Sequence, residues 1–507
     1  MADDASPPTG PDFTQGIPLT DLAGGAMIEG HVAGEPALLV EIDGALSAVA
    51  AHCTHYGGPL AEGLRVGDTI RCPWHHACFS LRTGAMLRPP ALDDLKRWRV
   101  ERRDGRAFVR EPLPQAAPSQ RSGGPDSVVV IGGGAAGNAA VETLRGEGYA
   151  GAVTMLSADS ALPCDRPNLS KDYLAGTAQP DWIPLRSAEF YAERAIDVRL
   201  GARVARIDSA SRTVTLADGG TLGYGALLLA TGAEPVRLTV PGAELPHVHV
   251  LRTLADCDAL IAAADAARRC VVVGASFIGL EVAASLRTRG LEVHVVAPDR
   301  LPMERVFGAA IGEVVRALHE AHGVTFHLGA TVAAIAPDRV TLSTGETLAA
   351  DLVVTGIGVR PNVALAEDAG LAIDRGVSVD AFLQTSAPGI WAAGDIARWP
   401  DSRTGENVRI EHWVVAERQG VTAARNILGR RERFDTAPFF WTRQYDLGID
   451  YVGHAERWDR AEVDGDPAAH DCAVGYWRGS ERLAVATIGR DLECLRAEAA
   501  LEAEARP

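Results

Sequence analysis

The chain has 507 residues, 47% of them apolar and 23% charged, which is too long for one core and in the range of three or four domains of roughly 100–200 residues each. Asp and Glu (66) outnumber Lys and Arg (49), a formal net charge of −17, which argues against a nucleic-acid binder because phosphates are met by a basic face. No apolar run approaches the roughly 18 residues of a membrane helix. Residues 1–8 lack the basic and apolar regions of a signal peptide. The expectation is a soluble, cytoplasmic protein without a membrane span.

Taken in chain order, residues 1–11 are acidic and Pro-rich, a loose end. Residues 12–112 read as short strands broken by Gly turns. Asp43-Gly44 separates the apolar runs 37–42 and 46–49, and Asp104-Gly105 separates 97–101 from 107–110. Both are hairpin signals, so an all-β domain is predicted here. Residues 113–125, dominated by Pro, Ser and Gly, form a linker by composition.

The grammar then changes. Val128-Val129-Val130-Ile131 meets Gly132-Gly133-Gly134-Ala135-Ala136-Gly137 and a helical stretch to Arg145. A second copy begins 142 residues later: Cys270–Val273, then Gly274-Ala275-Ser276-Phe277-Ile278-Gly279, then a helix to Arg289. Two such units predict two doubly wound α/β nucleotide-binding domains, the first over 126–247 and 371–433, the second over 248–370. From Phe434 the chain turns aromatic and strand-like, predicting a C-terminal α+β domain over 434–507.

Of eight cysteines, only Cys53, Cys72 and Cys78 cluster, with histidines among them, which suggests metal rather than disulfides. Cys53-Thr54-His55 and Cys72-Pro73-Trp74-His75 are separated by sixteen residues, the C-x-H and C-x-x-H pattern of a Rieske [2Fe–2S] centre. Two thiolates hold one iron and two imidazoles the other. A Cys₂His₂ zinc site is the alternative, but zinc fingers pair like with like, whereas each loop here carries one of each. The spacing selects His55 and His75 over His52 and His76, and leaves Cys78 as a packed thiol.

Each Gly-rich turn follows a β-branched strand and opens a helix, so its N–H groups can hold a pyrophosphate. The first has Gly132, Gly134 and Gly137; the second has Gly274, Ser276 and Gly279. A ribose-binding acid is expected about 20 residues on. Asp159 is the candidate in the first copy; in the second, Ala297 stands there, followed by Asp299 and Arg300.

With these motifs the chain resembles the fused Rieske flavoproteins of the apoptosis-inducing-factor-like, ferredoxin-reductase family of FAD-dependent pyridine-nucleotide oxidoreductases. Further motifs carry the resemblance: Arg166-Pro167-Asn168-Leu169-Ser170-Lys171, Ala230-Thr231-Gly232, Gly356-Ile357-Gly358-Val359-Arg360-Pro361-Asn362 and Ala392-Ala393-Gly394-Asp395. The resemblance implies FAD contacts at Gly132, Gly134, Gly137, Arg166 and Lys171, with Ala230, Thr231, Gly232, Gly358 and Gly394 also lining cofactor sites. It implies that Asp395 bonds the ribityl chain and that Trp413 stands by the ring edge. It also implies that Glu281 pairs with Lys171 beside the nicotinamide. Ala297 leaves both NADH and NADPH open, with NADH the family expectation and Arg300 a candidate contact for a 2′-phosphate.

The function implied is an NAD(P)H-dependent flavin reductase that passes electrons from FAD to its own Rieske cluster and on to an external acceptor, an oxygenase or a cytochrome. The missing cysteine pair after the first βα unit argues against a disulfide reductase. Two alternatives stand beside it: a redox-responsive signalling protein, and an NAD(P)H peroxidase using Cys164, whose expected state is buried packing. Respiratory Rieske proteins, as a family, add a second cysteine pair and a serine near the cluster. Here Gly58, Trp74 and Ala77 occupy those positions, which implies a low potential.

Overall fold

The computed structural model describes residues 9–115 and 123–504, so residues 1–8 of the predicted loose end and 116–122 of the predicted linker lie outside the described residues. Two compact units emerge, one of residues 9–115 with 491–503, the other of residues 123–490.

The first unit is built on antiparallel strands. A six-stranded sheet runs in the order Ile17–Pro18, Arg106–Pro112, Arg97–Arg103, Ala45–Ala50, Glu35–Ile42, Met27–Val32. Both predicted hairpins form, and Asp43 and Gly44 turn with φ of 51° and 79°. The run Ala37–Val40 is apolar at every position because both sheet faces are covered. Leu38 and Val40 face Ile70, Phe79 and Leu81, while Ala37 and Leu39 face Phe13 and Trp98. A small sheet of Leu64–Val66, Thr69–Arg71, Cys78–Ser80 and Met86–Arg88 carries the second cysteine loop between its middle strands.

The second unit repeats one architecture twice. A parallel sheet in the order Ile196–Arg199, Ala152–Leu156, Ser127–Ile131, Ala226–Leu229, Ile390–Ala392 carries the helix Ala135–Gly146. Val128 and Val130 pack toward that helix, Val129 and Ile131 toward the opposite face, so an unbroken apolar run is what a strand covered on both faces requires. The second sheet, Val248–Val250, Leu352–Thr355, Arg269–Val273, Glu292–Ala297, Val324–Leu328, carries Phe277–Thr288 in the same way. An antiparallel five-stranded sheet follows, from Phe439–Gln444 to Glu481–Ile488.

The predicted C-terminal domain differs at its end. The helix Asp491–Ala503 groups with the first unit rather than with the five-stranded sheet that precedes it. The reason is electrostatic in part, since its Glu498 and Glu502 pair with Arg71 and Arg88. Among the described residues no helix is long and apolar enough to cross a membrane.

Candidate functional site

In the first unit, two tight loops bring the four predicted ligands together. The loop after Ala50 closes with Cys53 N–H donating to Gly58 O at 2.9 Å and Gly57 N–H to Cys53 O at 2.9 Å. The other closes with Cys72 N–H donating to Ala77 O at 2.8 Å. Cys53 and Cys72 are 4% and 2% exposed, and the His55 and His75 rings stand edge-on with centroids 5.0 Å apart. The thiols share a hydrogen bond that lowers the pKa of Cys72. Burial pushes His55 down to about 4, keeping the imidazole neutral as a ligand must be. Its Nδ1 is buried without a protein partner among the described residues. A Cβ on Gly58 would lie 2.6 Å from Cys72 Sγ, so this position has to stay bare beside the sulfur. Among the described residues no three His, Cys, Asp or Glu side chains converge on a single ion. Two thiols and two imidazoles on two loops are the donor set of a Rieske cluster, in which each iron takes two protein ligands.

In the second unit, a cavity of about 1170 Å³ runs from the first Gly-rich turn to the second. Gly132, at φ 120°, passes so close to the neighbouring strand that a Cβ would lie 2.1 Å from Ala230 O. A Cβ on Gly137 would meet Gly132 O at 1.9 Å, which is why the helix can sit tight on the strand. The second turn repeats this with Gly274 against Gly356 O at 2.2 Å and Gly279 against Gly274 O at 2.1 Å. Neither helix has a side-chain cap at Gly134 or Ser276, leaving first-turn N–H groups facing the cavity for phosphate oxygens. These cradles fit an extended dinucleotide at each end.

Between the turns lies a buried polar junction. Glu281 is 4% exposed, and its Oε2 accepts from Lys171 Nζ at 2.9 Å and Ser170 Oγ at 2.6 Å. Its Oε1 accepts from Thr442 Oγ1 at 2.7 Å, which in turn accepts from Gln444 Nε2 at 2.8 Å. Lys171 Nζ also donates to Pro167 O at 3.1 Å, so two of its three N–H donors are used. Three segments far apart in sequence thus hold one carboxylate. Around it the walls are flat and apolar: Ile278, Trp413, and Phe440 stacked on His412 at 3.9 Å. Burial pushes His412 down to about 3 and raises Glu411.

The other predicted residues divide into two groups. Asp159, Arg166, Ala230, Thr231, Gly232, Gly358, Gly394 and Asp395 all line the cavity. Asp159 accepts from Arg166 at 3.0 Å, and Asp395 accepts from Arg252 at 2.9 Å. Thr231 and Asn362 exchange side-chain to backbone hydrogen bonds, joining two of the quoted motifs. Gly137, Gly274 and Gly279 lie beneath the cavity as packing positions. Arg300 is the exception: it is not among the residues lining the cavity, and its exposed side chain pairs with Glu304, the first residue of the helix that follows. Asp299 is likewise held by Arg305. Ser170, Thr442 and Arg252 were not singled out from sequence. Only Ser170 had a signal, its place in the motif ending at Lys171.

Three families match along the chain: Rieske [2Fe-2S] domain over residues 16–99, Pyridine nucleotide-disulphide oxidoreductase over 126–420, and Reductase C-terminal over 439–507. The chain belongs to the pyridine nucleotide-disulphide oxidoreductase family. Apoptosis-inducing factor 3 of Homo sapiens is 34% identical to this oxidoreductase, over 93% of this chain and 81% of that protein. The anthranilate 1,2-dioxygenase system ferredoxin–NAD(+) reductase component of Burkholderia cepacia is 36% identical over 73% of this chain and 93% of that one. Among solved structures, the covalent putidaredoxin reductase–putidaredoxin complex superposes with a TM-score of 0.73 at 34% identity, over 75% of this chain and 94% of that chain. The oxidoreductase is therefore FAD-dependent and of the ferredoxin-reductase type, uses NAD(P)H, and carries a Rieske [2Fe–2S] domain at its N-terminal side.

Proposed function

We propose that this oxidoreductase oxidises NADH, with measurable use of NADPH, and delivers the electrons through its own Rieske domain to an external acceptor protein, an oxygenase or a cytochrome. The observation that carries the reading is the Lys171–Glu281 junction, set in a cavity between two dinucleotide cradles, in a chain that also holds the paired Cys/His loops. FAD bound along the first cradle would supply two-electron chemistry with the nicotinamide, and a [2Fe–2S] cluster held by Cys53, His55, Cys72 and His75 would supply one-electron transfer.

The residues act by placement. Lys171 and Glu281 are held by Ser170, Thr442 and Pro167, so neither side chain has to reorganise when nicotinamide enters. Trp413, Phe440 and Ile278 offer flat apolar surface that keeps water from the reacting rings. Cys53, His55, Cys72 and His75 hold the cluster. Covalent linkage keeps the two units at roughly millimolar effective concentration, which makes a separate ferredoxin unnecessary.

Anaerobic mixing with NADH, followed at the flavin band and by freeze-quench EPR, tests this. Flavin reduction followed by growth of a rhombic Rieske signal is expected. Flavin reduction without any cluster reduction, while an added ferredoxin is reduced, would overturn the internal route. The likeness to apoptosis-inducing factor 3 over 93% of the chain favours keeping a redox-responsive role as a second reading. Fast steady-state turnover with a one-electron dye supports the reductase over it. A Cys164 peroxidase is disfavoured, since the thiol is 9% exposed and burial raises its pKa.

A further inference from the structure

The second cysteine loop is anchored from outside the Rieske fold. Glu498 and Glu502 lie four residues apart on the helix Asp491–Ala503, on one face. Arg71, immediately before Cys72, donates from Nη1 to Glu498 Oε2 at 2.9 Å and from Nη2 to Glu502 Oε2 at 2.7 Å. Arg88 donates to Glu502 Oε1 at 2.6 Å. His76, immediately after His75, places Nδ1 3.2 Å from the same Glu498 Oε2. Arg71 and Arg88 both pair in register with Cys78, so the helix grips the two strands on either side of it.

The burial is unusual for such charges. Glu498 and His76 are 0% exposed and Arg71 is 6% exposed. His76 also sits at φ 60°, a left-handed conformation that a residue with a Cβ holds only when its surroundings over-determine it. Its N–H donates to Cys72 O at 3.2 Å, so the orientation of His76 and the path of the loop between the ligands are one geometry. All eight cysteines are free, so no disulfide ties this loop to the other.

We infer that Glu498 is a positioning residue for the cluster: through Arg71 and His76 it clamps both ends of the Cys72–His75 loop, taking the place of a disulfide. The inference rests on Cys53, His55, Cys72 and His75 being the cluster ligands. Removing the carboxylate leaves the buried Arg71 guanidinium next to Cys72 with Nη1 unpaired and only Glu502, which it shares with Arg88, to balance its charge. That both loosens the loop and makes the surroundings more positive, which favours the reduced, more negative cluster.

The experiment uses the full chain with Glu498→Ala and the isosteric Glu498→Gln, against wild type. Iron loss to a chelator should be roughly ten-fold faster in Glu498→Ala, the usual scale for removing a residue that supports a ligand. The cluster midpoint should move upward and the EPR g-values should shift, with FAD content per chain unchanged. Glu498→Gln, which keeps an oxygen acceptor for Arg71, should restore most of the iron retention but keep the upward potential shift. Wild-type iron loss, g-values and midpoint in both variants would overturn the clamp. If Glu498→Ala does not accumulate, a wild-type midpoint in Glu498→Gln overturns it alone. A wild-type chain that holds zinc and no [2Fe–2S] would instead overturn the ligand reading, and the clamp with it.

Discussion

Thr442→Val isolates one strut of the Glu281 junction. The hydroxyl is fully buried on the strand Phe439–Gln444 and donates to Glu281 Oε1 at 2.7 Å while accepting from Gln444. Valine has nearly the same shape, so no cavity opens, but one carboxylate oxygen loses its donor and the Gln444 amide its acceptor. A hydrogen bond to a charged group contributes about 1.5–3 kcal/mol. Lys171 and Ser170 still hold the other oxygen, so the carboxylate stays but its orientation loosens. If about 1.4 kcal/mol of the loss is felt in the transition state, flavin reduction slows roughly ten-fold. The assay is anaerobic stopped-flow reduction by NADH at saturation, read beside FAD content and NADH affinity. The limiting rate should fall while FAD binding holds. A wild-type limiting rate would refute the view that the third hydrogen bond positions Glu281 for the reaction. A fall in NADH affinity alone would show that the strut serves binding.

Other outcomes follow from the same geometry. Cys72→Ser should abolish the rhombic Rieske signal and leave FAD bound; an unchanged EPR spectrum, or zinc by metal analysis, would refute the ligand set. The cluster midpoint should fall at the low end of the Rieske range of about −150 to +300 mV, because Ala77 offers no hydroxyl to the sulfurs; a redox titration giving a value well above zero would refute this. Arg300→Ala should change the NADPH-to-NADH ratio of kcat/KM by less than about two-fold, the scale of an exposed ion pair, since Arg300 pairs with Glu304 and is not among the residues lining the cavity. His319, ringed by Phe326 and Tyr445, is lowered by burial from 6.5 to about 3. Its contribution is complete above pH 6.5 and is lost as pH falls toward 3, where the unfolded chain binds a proton that the folded chain excludes. The slope reaches at most about 1.4 kcal/mol per pH unit, and urea titrations of His319→Phe should show it flattened.

What could be read along the chain was what neighbours along the chain decide. Asp43-Gly44 and Asp104-Gly105 are hairpin turns because left-handed backbone is inexpensive at those residues. The turns at Gly132 and Gly274 were legible because a strand, a bare approach and a helix follow one another within a few residues. The cluster loops were legible because each supplies its own thiolate and imidazole at fixed spacing. What folding alone settled are the partners of polar groups. Arg300 is a sequence candidate for a phosphate contact, and its partner in the structure is Glu304, which opens the next helix. Thr442 meets Glu281 across 161 residues, and nothing in the local text of Phe439–Gln444 marks that hydroxyl. Nothing in the local text of the helix Asp491–Ala503 marks Glu498, yet it is fully buried against Arg71 and His76. An apolar pattern states which face of an element turns inward. It does not state which distant charge will be waiting there, and a buried charge is stable only with that partner in place.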